Sequence, residues 1–114
     1  IIGICLGFQQ ILFCEGAKII EQNKIYHGYQ SDIKVINDKS LFKRGLSFKV
    51  GRYHSLKLKE PFKSKNFHIT MRCLKSKVAM SFENNIDKVY GFQFHPESFL
   101  TYNGNLLIKK VLSA

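Results

Sequence analysis

The chain has 114 residues, of which 45% are apolar, including 10 Phe and 5 Tyr, enough for the core of one small domain or part of one. Its formal charge of +10 invites a nucleic-acid reading, but the lysines are dispersed and no recognised binding module accompanies them, so nucleic acid is not taken as the partner. No run of about 18 apolar residues suggests a membrane span, and no basic segment followed by a cleavable apolar stretch reads as a signal peptide. Three cysteines cannot all pair and lack zinc-site spacing, which points to a reducing cytoplasm and to no metal.

The chain opens with Ile1-Ile2-Gly3-Ile4, an apolar run that predicts a strand buried on both faces. Cys5 follows, flanked at i−2 and i+2 by Gly3 and Gly7, and a helix-compatible stretch runs on to about Cys14 with Gly16 as its C-cap. This is the spacing of a nucleophile elbow, a tight strand-to-helix turn where glycines remove side chains that would collide. The adjoining helix N-terminus is expected to favour thiolate over thiol, and the Leu6 N–H is placed to donate to an oxyanion. Alone, such a cysteine is more often a small buried hydrophobe.

Strands are predicted at Lys18–Glu21 and Asp32–Ile36, around a turn at His27-Gly28. Further strands are predicted at Phe48–Tyr53, Phe67–Arg72, Val78–Phe82 and Val89–Phe94. Lys57 and Lys59 alternate with Leu56 and Leu58, the pattern of a half-buried strand. Lys63-Ser64-Lys65-Asn66 reads as a polar loop. The Val89–Phe94 strand ends on His95, so the imidazole can emerge at the carboxyl edge of a sheet, where open α/β sheets bind ligands. Glu97, just past Pro96, is close enough to hold that ring. A C-terminal helix is predicted over Asn105–Leu112, with Leu106, Leu107 and Val111 as its apolar stripe. A thiol, an imidazole and a carboxylate together form the set used for cysteine acyl transfer.

Gly3-Ile4-Cys5-Leu6-Gly7-Phe8-Gln9 and Gly91-Phe92-Gln93-Phe94-His95-Pro96-Glu97-Ser98 resemble the two signature blocks of class I, triad-type glutamine amidotransferases. Gly51-Arg52-Tyr53-His54-Ser55-Leu56 resembles the R-Y-H-S-L block of the branch containing the glutaminase subunits of anthranilate synthase and aminodeoxychorismate synthase. His27-Gly28-Tyr29-Gln30-Ser31 occupies the place of that branch's H-G-K-x-S segment. The resemblance covers nearly the whole chain, in order. It implies an α/β fold, part of a doubly wound mixed sheet with the nucleophile on a strand-to-helix elbow, and residues 1–114 as the C-terminal portion of one amidotransferase domain.

By the same resemblance Cys5 is the nucleophile, His95 the general base and acid, and Glu97 the residue that orients His95. Leu6 supplies a backbone oxyanion donor, and Gln9, Ser55 and Leu56 match the positions that hold substrate glutamine. The implied reaction forms a γ-glutamyl thioester, releases ammonia, and hydrolyses the thioester to glutamate, with no cofactor. The implied partners are L-glutamine and a chorismate-binding synthase subunit in a heteromer. Anthranilate synthase component II stands first; the aminodeoxychorismate synthase component and a non-catalytic remnant are the alternatives.

Phe8 departs from the branch, which usually has His there, and Tyr29 stands where it usually has Lys. The family's N-terminal section, with its first strands and a glycine loop carrying a second oxyanion donor, has no counterpart in these residues. The chain is therefore expected to be a C-terminal fragment and, alone, catalytically impaired.

Overall fold

A computed structural model describes residues 1–22, 28–98 and 100–114. Its elements in chain order are β1 (Ile2–Ile4), α1 (Leu6–Cys14), β2 (Ile19–Glu21), β3 (Tyr29–Val35), β4 (Ser47–Arg52), β5 (Leu56–Leu58), β6 (His68–Cys73), β7 (Ala79–Asn84), β8 (Val89–Phe92) and α2 (Gly104–Leu112). The predicted elements are thus present, with ends moved by a few residues. His27, the first residue of the H-G-x-x-S-like segment, lies outside the described residues.

Six strands form one mixed sheet in the order β1-β8-β7-β6-β3-β4, while β2 and β5 make a separate two-stranded sheet. The pair β1–β8 is parallel, with Ile2 opposite Tyr90, Gly3 opposite Gly91 and Ile4 opposite Phe92. The other neighbours in the large sheet run antiparallel. Short connections explain this: a few residues can join antiparallel strands, whereas a parallel pair needs a long crossover.

Among the described residues each face of the sheet carries one helix. Phe8 and Leu12 of α1 pack with Leu58, Ala79 and Phe82. Leu107 and Val111 of α2 pack on the other core, with Val50, Met71, Met80, Phe92 and Phe94. Period-two alternation assigns β8 accordingly: Tyr90, Phe92 and Phe94 join the α2 side, and Gly91 faces Phe82 on the α1 side.

In β1 Gly3 is buried and Ile2 and Ile4 are half-buried, and Ile1 just before it is exposed. One expectation is corrected here. Leu106 does not belong to the apolar stripe of α2. The buried face is Gly104, Leu107 and Val111, and Leu106, about 100° round the helix from Leu107, is 57% exposed.

The sheet is curled. Four places separate β8 from β4 in the strand order, about 19 Å on a flat sheet at roughly 4.8 Å per strand. Yet the chain leaving β8 reaches β4, where His95 forms an antiparallel bridge with Gly51 and its N–H donates to the Gly51 carbonyl at 3.1 Å.

Glycine at 91 is a packing requirement. A Cβ there would stand 2.0 Å from the Phe82 ring, itself fully buried and stacked on Phe8 with centroids 5.5 Å apart. Gly91→Ala is expected to destabilise the fold by about 3 kcal/mol, since the ring has nowhere to go. Gly7→Ala should instead be neutral or stabilising by up to about 1 kcal/mol, because a Cβ there meets nothing within 4 Å and Ala is the better helix former. Urea unfolding midpoints compare the two; equal effects would show that Phe82 repacks freely.

Candidate active site

Cys5 occupies the turn between β1 and α1 in a strained conformation, φ 51° and ψ −99°, which non-glycine residues rarely adopt. Hydrogen bonds to both neighbours hold it there. The Cys5 N–H donates to the Phe92 carbonyl at 2.7 Å, and the Cys5 carbonyl accepts from the Gln9 N–H at 3.1 Å. Gly3 makes the turn sterically possible, since a Cβ on it would lie 2.7 Å from Ile11 Cδ1 and 2.8 Å from the Gly7 carbonyl carbon. The flanking glycines therefore differ: Gly3 is needed for space and Gly7 is not.

Since β1 and β8 are parallel neighbours, Cys5 and His95 both lie just beyond the carboxyl ends of adjacent strands. His95 is fixed through its backbone and its ring. Its N–H bonds the Gly51 carbonyl, and its carbonyl accepts the Thr101 hydroxyl at 2.6 Å. Thr101 Oγ1 in turn accepts the Gly51 N–H at 2.8 Å. The ring Nδ1 faces both Glu97 carboxylate oxygens, at 3.0 and 3.1 Å, so Nδ1 carries a proton and Nε2 is left to accept one. The Tyr53 ring stands edge-on to the imidazole, centroids 5.1 Å apart, and its hydroxyl meets Ser98 Oγ at 2.9 Å. Tyr53, His95, Glu97 and Ser98 line an open cleft of about 500 Å³.

The thiol departs from expectation. Burial pushes Cys5 above the ordinary thiol value, with the Glu97 carboxylate adding a smaller push. The Leu6 N–H and the Gln93 amide act in the opposite direction without overcoming burial. The helix start thus assists the thiolate, but the resting group is the thiol, and a base would be needed to ionise it.

Of the remaining sequence-predicted residues, Leu6 and Gln9 belong to the helix that starts at this turn, and the Leu56 carbonyl reaches it through Gln9. Leu6 has an exposed side chain, and its N–H interacts with the Cys5 sulfur. Gln9 is only 7% exposed, with its amide nitrogen 3.1 Å from Gln93 Oε1 and 3.5 Å from the Leu56 carbonyl. Ser55 is exposed at the start of β5, and its carbonyl accepts the Gln22 N–H. Leu56 pairs with Glu21 across the small sheet, and its carbonyl also accepts His54 Nδ1 at 2.8 Å. Phe8, the first departure from the branch pattern, is a fully buried core ring; Tyr29, the second, begins β3 opposite Arg52.

Sequence reasoning assigned no role to Gln93 or Tyr53. Gln93 is completely buried, and its Nε2 lies 3.7 Å from the Cys5 sulfur. The available signal was its position two residues before His95 on an extended segment, which puts both side chains on one face.

The family model for glutamine amidotransferase class-I matches residues 1–114. Anthranilate synthase component 2 of Lactococcus lactis is 35% identical over 114 residues, covering 99% of this chain and 58% of that protein. The protein of the same name from Buchnera aphidicola of Schizaphis graminum is 42% identical over 116 residues, covering 99% of this chain and 56% of its own. Among solved structures, a Thermoplasma acidophilum protein assigned to GMP synthase superposes with a TM-score of 0.81 at 21% identity, over 98% of this chain and 55% of that one. A glutamine amidotransferase from Thermotoga maritima gives a TM-score of 0.67 at 20% identity, over 84% of this chain and 40% of that one. At such identities the structures speak for the fold. The chain belongs to the class I glutamine amidotransferase family and spans little more than half the length of the curated relatives it matches.

Proposed function

We propose that this chain carries the nucleophile and its base in a glutaminase subunit that supplies ammonia to a chorismate-using synthase, with anthranilate synthase component 2 as the first assignment. The observation that carries the reading is Cys5 on a strained elbow beside β8, whose continuation carries the His95–Glu97 pair. The names of the similar full-length proteins support the choice of anthranilate synthase. Glutamine is the substrate and the synthase subunit the partner; that partner decides between anthranilate and aminodeoxychorismate.

In this reading His95 Nε2 removes the Cys5 proton as the sulfur attacks the side-chain carboxamide carbon of glutamine. The resulting oxyanion is met by the Leu6 N–H. His95 passes the same proton to the departing nitrogen, which leaves as ammonia, and the γ-glutamyl group remains on sulfur as a thioester. His95 then takes a proton from water, which attacks the thioester and releases glutamate and the thiol. Glu97 keeps the imidazole in the tautomer this needs. Since burial holds Cys5 in its thiol form, the reaction depends on the base at every turnover.

A diazoketone analogue of glutamine tests the assignment. It should alkylate Cys5 in preference to the exposed Cys14 and the buried Cys73, and free glutamine should protect. Labelling distributed without preference over the three, or indifferent to glutamine, would reject the reading.

A further inference from the structure

We propose that Gln93 is a positioning residue whose side-chain amide, locked in one orientation by Gln9, donates to the Cys5 sulfur and governs how readily that thiol gives up its proton. The proposal rests on the reading of Cys5 as the nucleophile.

The orientation follows from a backbone group that can only accept. The Leu56 carbonyl is 3.5 Å from one terminal atom of the Gln9 amide, so that atom must be the NH₂. The same nitrogen lies 3.1 Å from a terminal atom of Gln93, which must therefore be the oxygen. The other end of the Gln93 amide, the one facing Cys5 Sγ at 3.7 Å, is then an N–H donor. Turning Gln93 over would set two NH₂ groups against each other in a buried space and present an acceptor to the sulfur. Further contacts hold the Leu56 carbonyl in place. It accepts His54 Nδ1 at 2.8 Å, and His54 Nε2 accepts the Arg52 Nε–H at 2.9 Å.

Burial separates this role from substrate contact. Gln93 has no exposed surface and its own N–H is bonded to the Met80 carbonyl, so it acts through Cys5. A donor toward sulfur is worth little to a neutral thiol and much more to a thiolate, because hydrogen bonds to ionised groups are roughly twice as strong. The amide therefore helps the sulfur in the state that attacks and does little for the resting state. It is one of the influences that oppose the burial of Cys5.

The test reads the thiol directly and needs no glutamine. The rate of Cys5 alkylation by iodoacetamide is followed against pH in the wild-type chain and in Gln93→Glu, Gln93→Met and Gln9→Met, with peptide mass spectrometry separating Cys5 from Cys14 and Cys73. Gln93→Glu places an acceptor on the sulfur and should raise the midpoint by a pH unit or more, slowing alkylation at pH 7 about tenfold. Gln93→Met removes the donor at similar length and should slow it about threefold, and Gln9→Met, which releases the Gln93 amide, should move the midpoint in the same direction. A role confined to packing would lower the urea midpoint of these variants and leave the alkylation midpoint in place. Unchanged alkylation midpoints in folded variants would overturn the proposal; if Gln93→Glu does not fold, the two Met variants decide. Shifted midpoints in a protein that the glutamine analogue fails to label would uphold the Gln93 role and reject the glutaminase reading, so the two fail separately.

Discussion

Replacing His95 by alanine is expected to lower glutamine hydrolysis by about 10⁶-fold, with little change in KM. Loss of a group that acts as both base and acid has this size in cysteine and serine acyl transfer, where triad members act as a unit. The raised Cys5 value makes the dependence steep, since few sulfurs are ionised without help near neutral pH. Glu97 should matter less. Its carboxylate faces Nδ1 at 3.0 and 3.1 Å, but its side chain is 64% exposed, so water shares the task of stabilising the charged ring. Glu97→Gln keeps an acceptor for Nδ1–H and is expected to cost about tenfold. Glu97→Ala loses the orientation too and should cost about a hundredfold. Steady-state glutamate release, measured with the proposed synthase partner present, gives all three. Wild-type turnover in His95→Ala would remove His95 from the mechanism, and equal losses in the two Glu97 variants would show that charge outweighs orientation.

Acid should weaken this fold through His54. The residue is buried at 5% exposure, and its value is lowered from 6.5 to about 4, first by that burial and then by the charges of Arg52 and His95; the hydrogen bond to Leu56 acts the other way. The folded state thus holds the ring neutral where the unfolded chain would protonate it. The stability this contributes is complete above pH 6.5 and is lost as pH falls from 6.5 towards 4. At about 1.4 kcal/mol per pH unit, the loss is about 3 kcal/mol. The contacts give a cause: Nε2 accepts the Arg52 Nε–H, so a second ring proton there would face a guanidinium. Urea unfolding between pH 4 and 8 measures the slope, and His54→Gln should flatten it. A wild-type slope retained in that variant would assign the acid sensitivity elsewhere.

Much of this could be read from residue order. The Gly3–Cys5–Gly7 spacing located the elbow, and the alternation through Val89–Phe94 put His95 at a strand end. What could not be read depended on neighbours distant in sequence. Leu106 and Leu107 are indistinguishable by composition, and only the angle at which α2 meets the sheet separates them. The thiol was expected to ionise easily from its helix start alone. The opposing effect, burial, arises from packing that local sequence does not describe. The place of Gln93 cannot be read locally, because its partners Gln9 and Cys5 lie 84 and 88 residues away.

The bridge between His95 and Gly51 ties two parts of the proposed site to different scales of order. The elbow around Cys5 is assembled from β1, α1 and the end of β8, the last joined to β1 by ladder contacts. His95 is held by a strand at the opposite end of the sheet order, one with β3 on one side and, beyond β3, the rest of the sheet. Fraying of β4, an outer strand, would therefore release the imidazole while leaving the sulfur in its turn. The molecule would pass through a form that retains a nucleophile but has lost its proton acceptor, so catalytic competence would disappear at a milder perturbation than the fold itself.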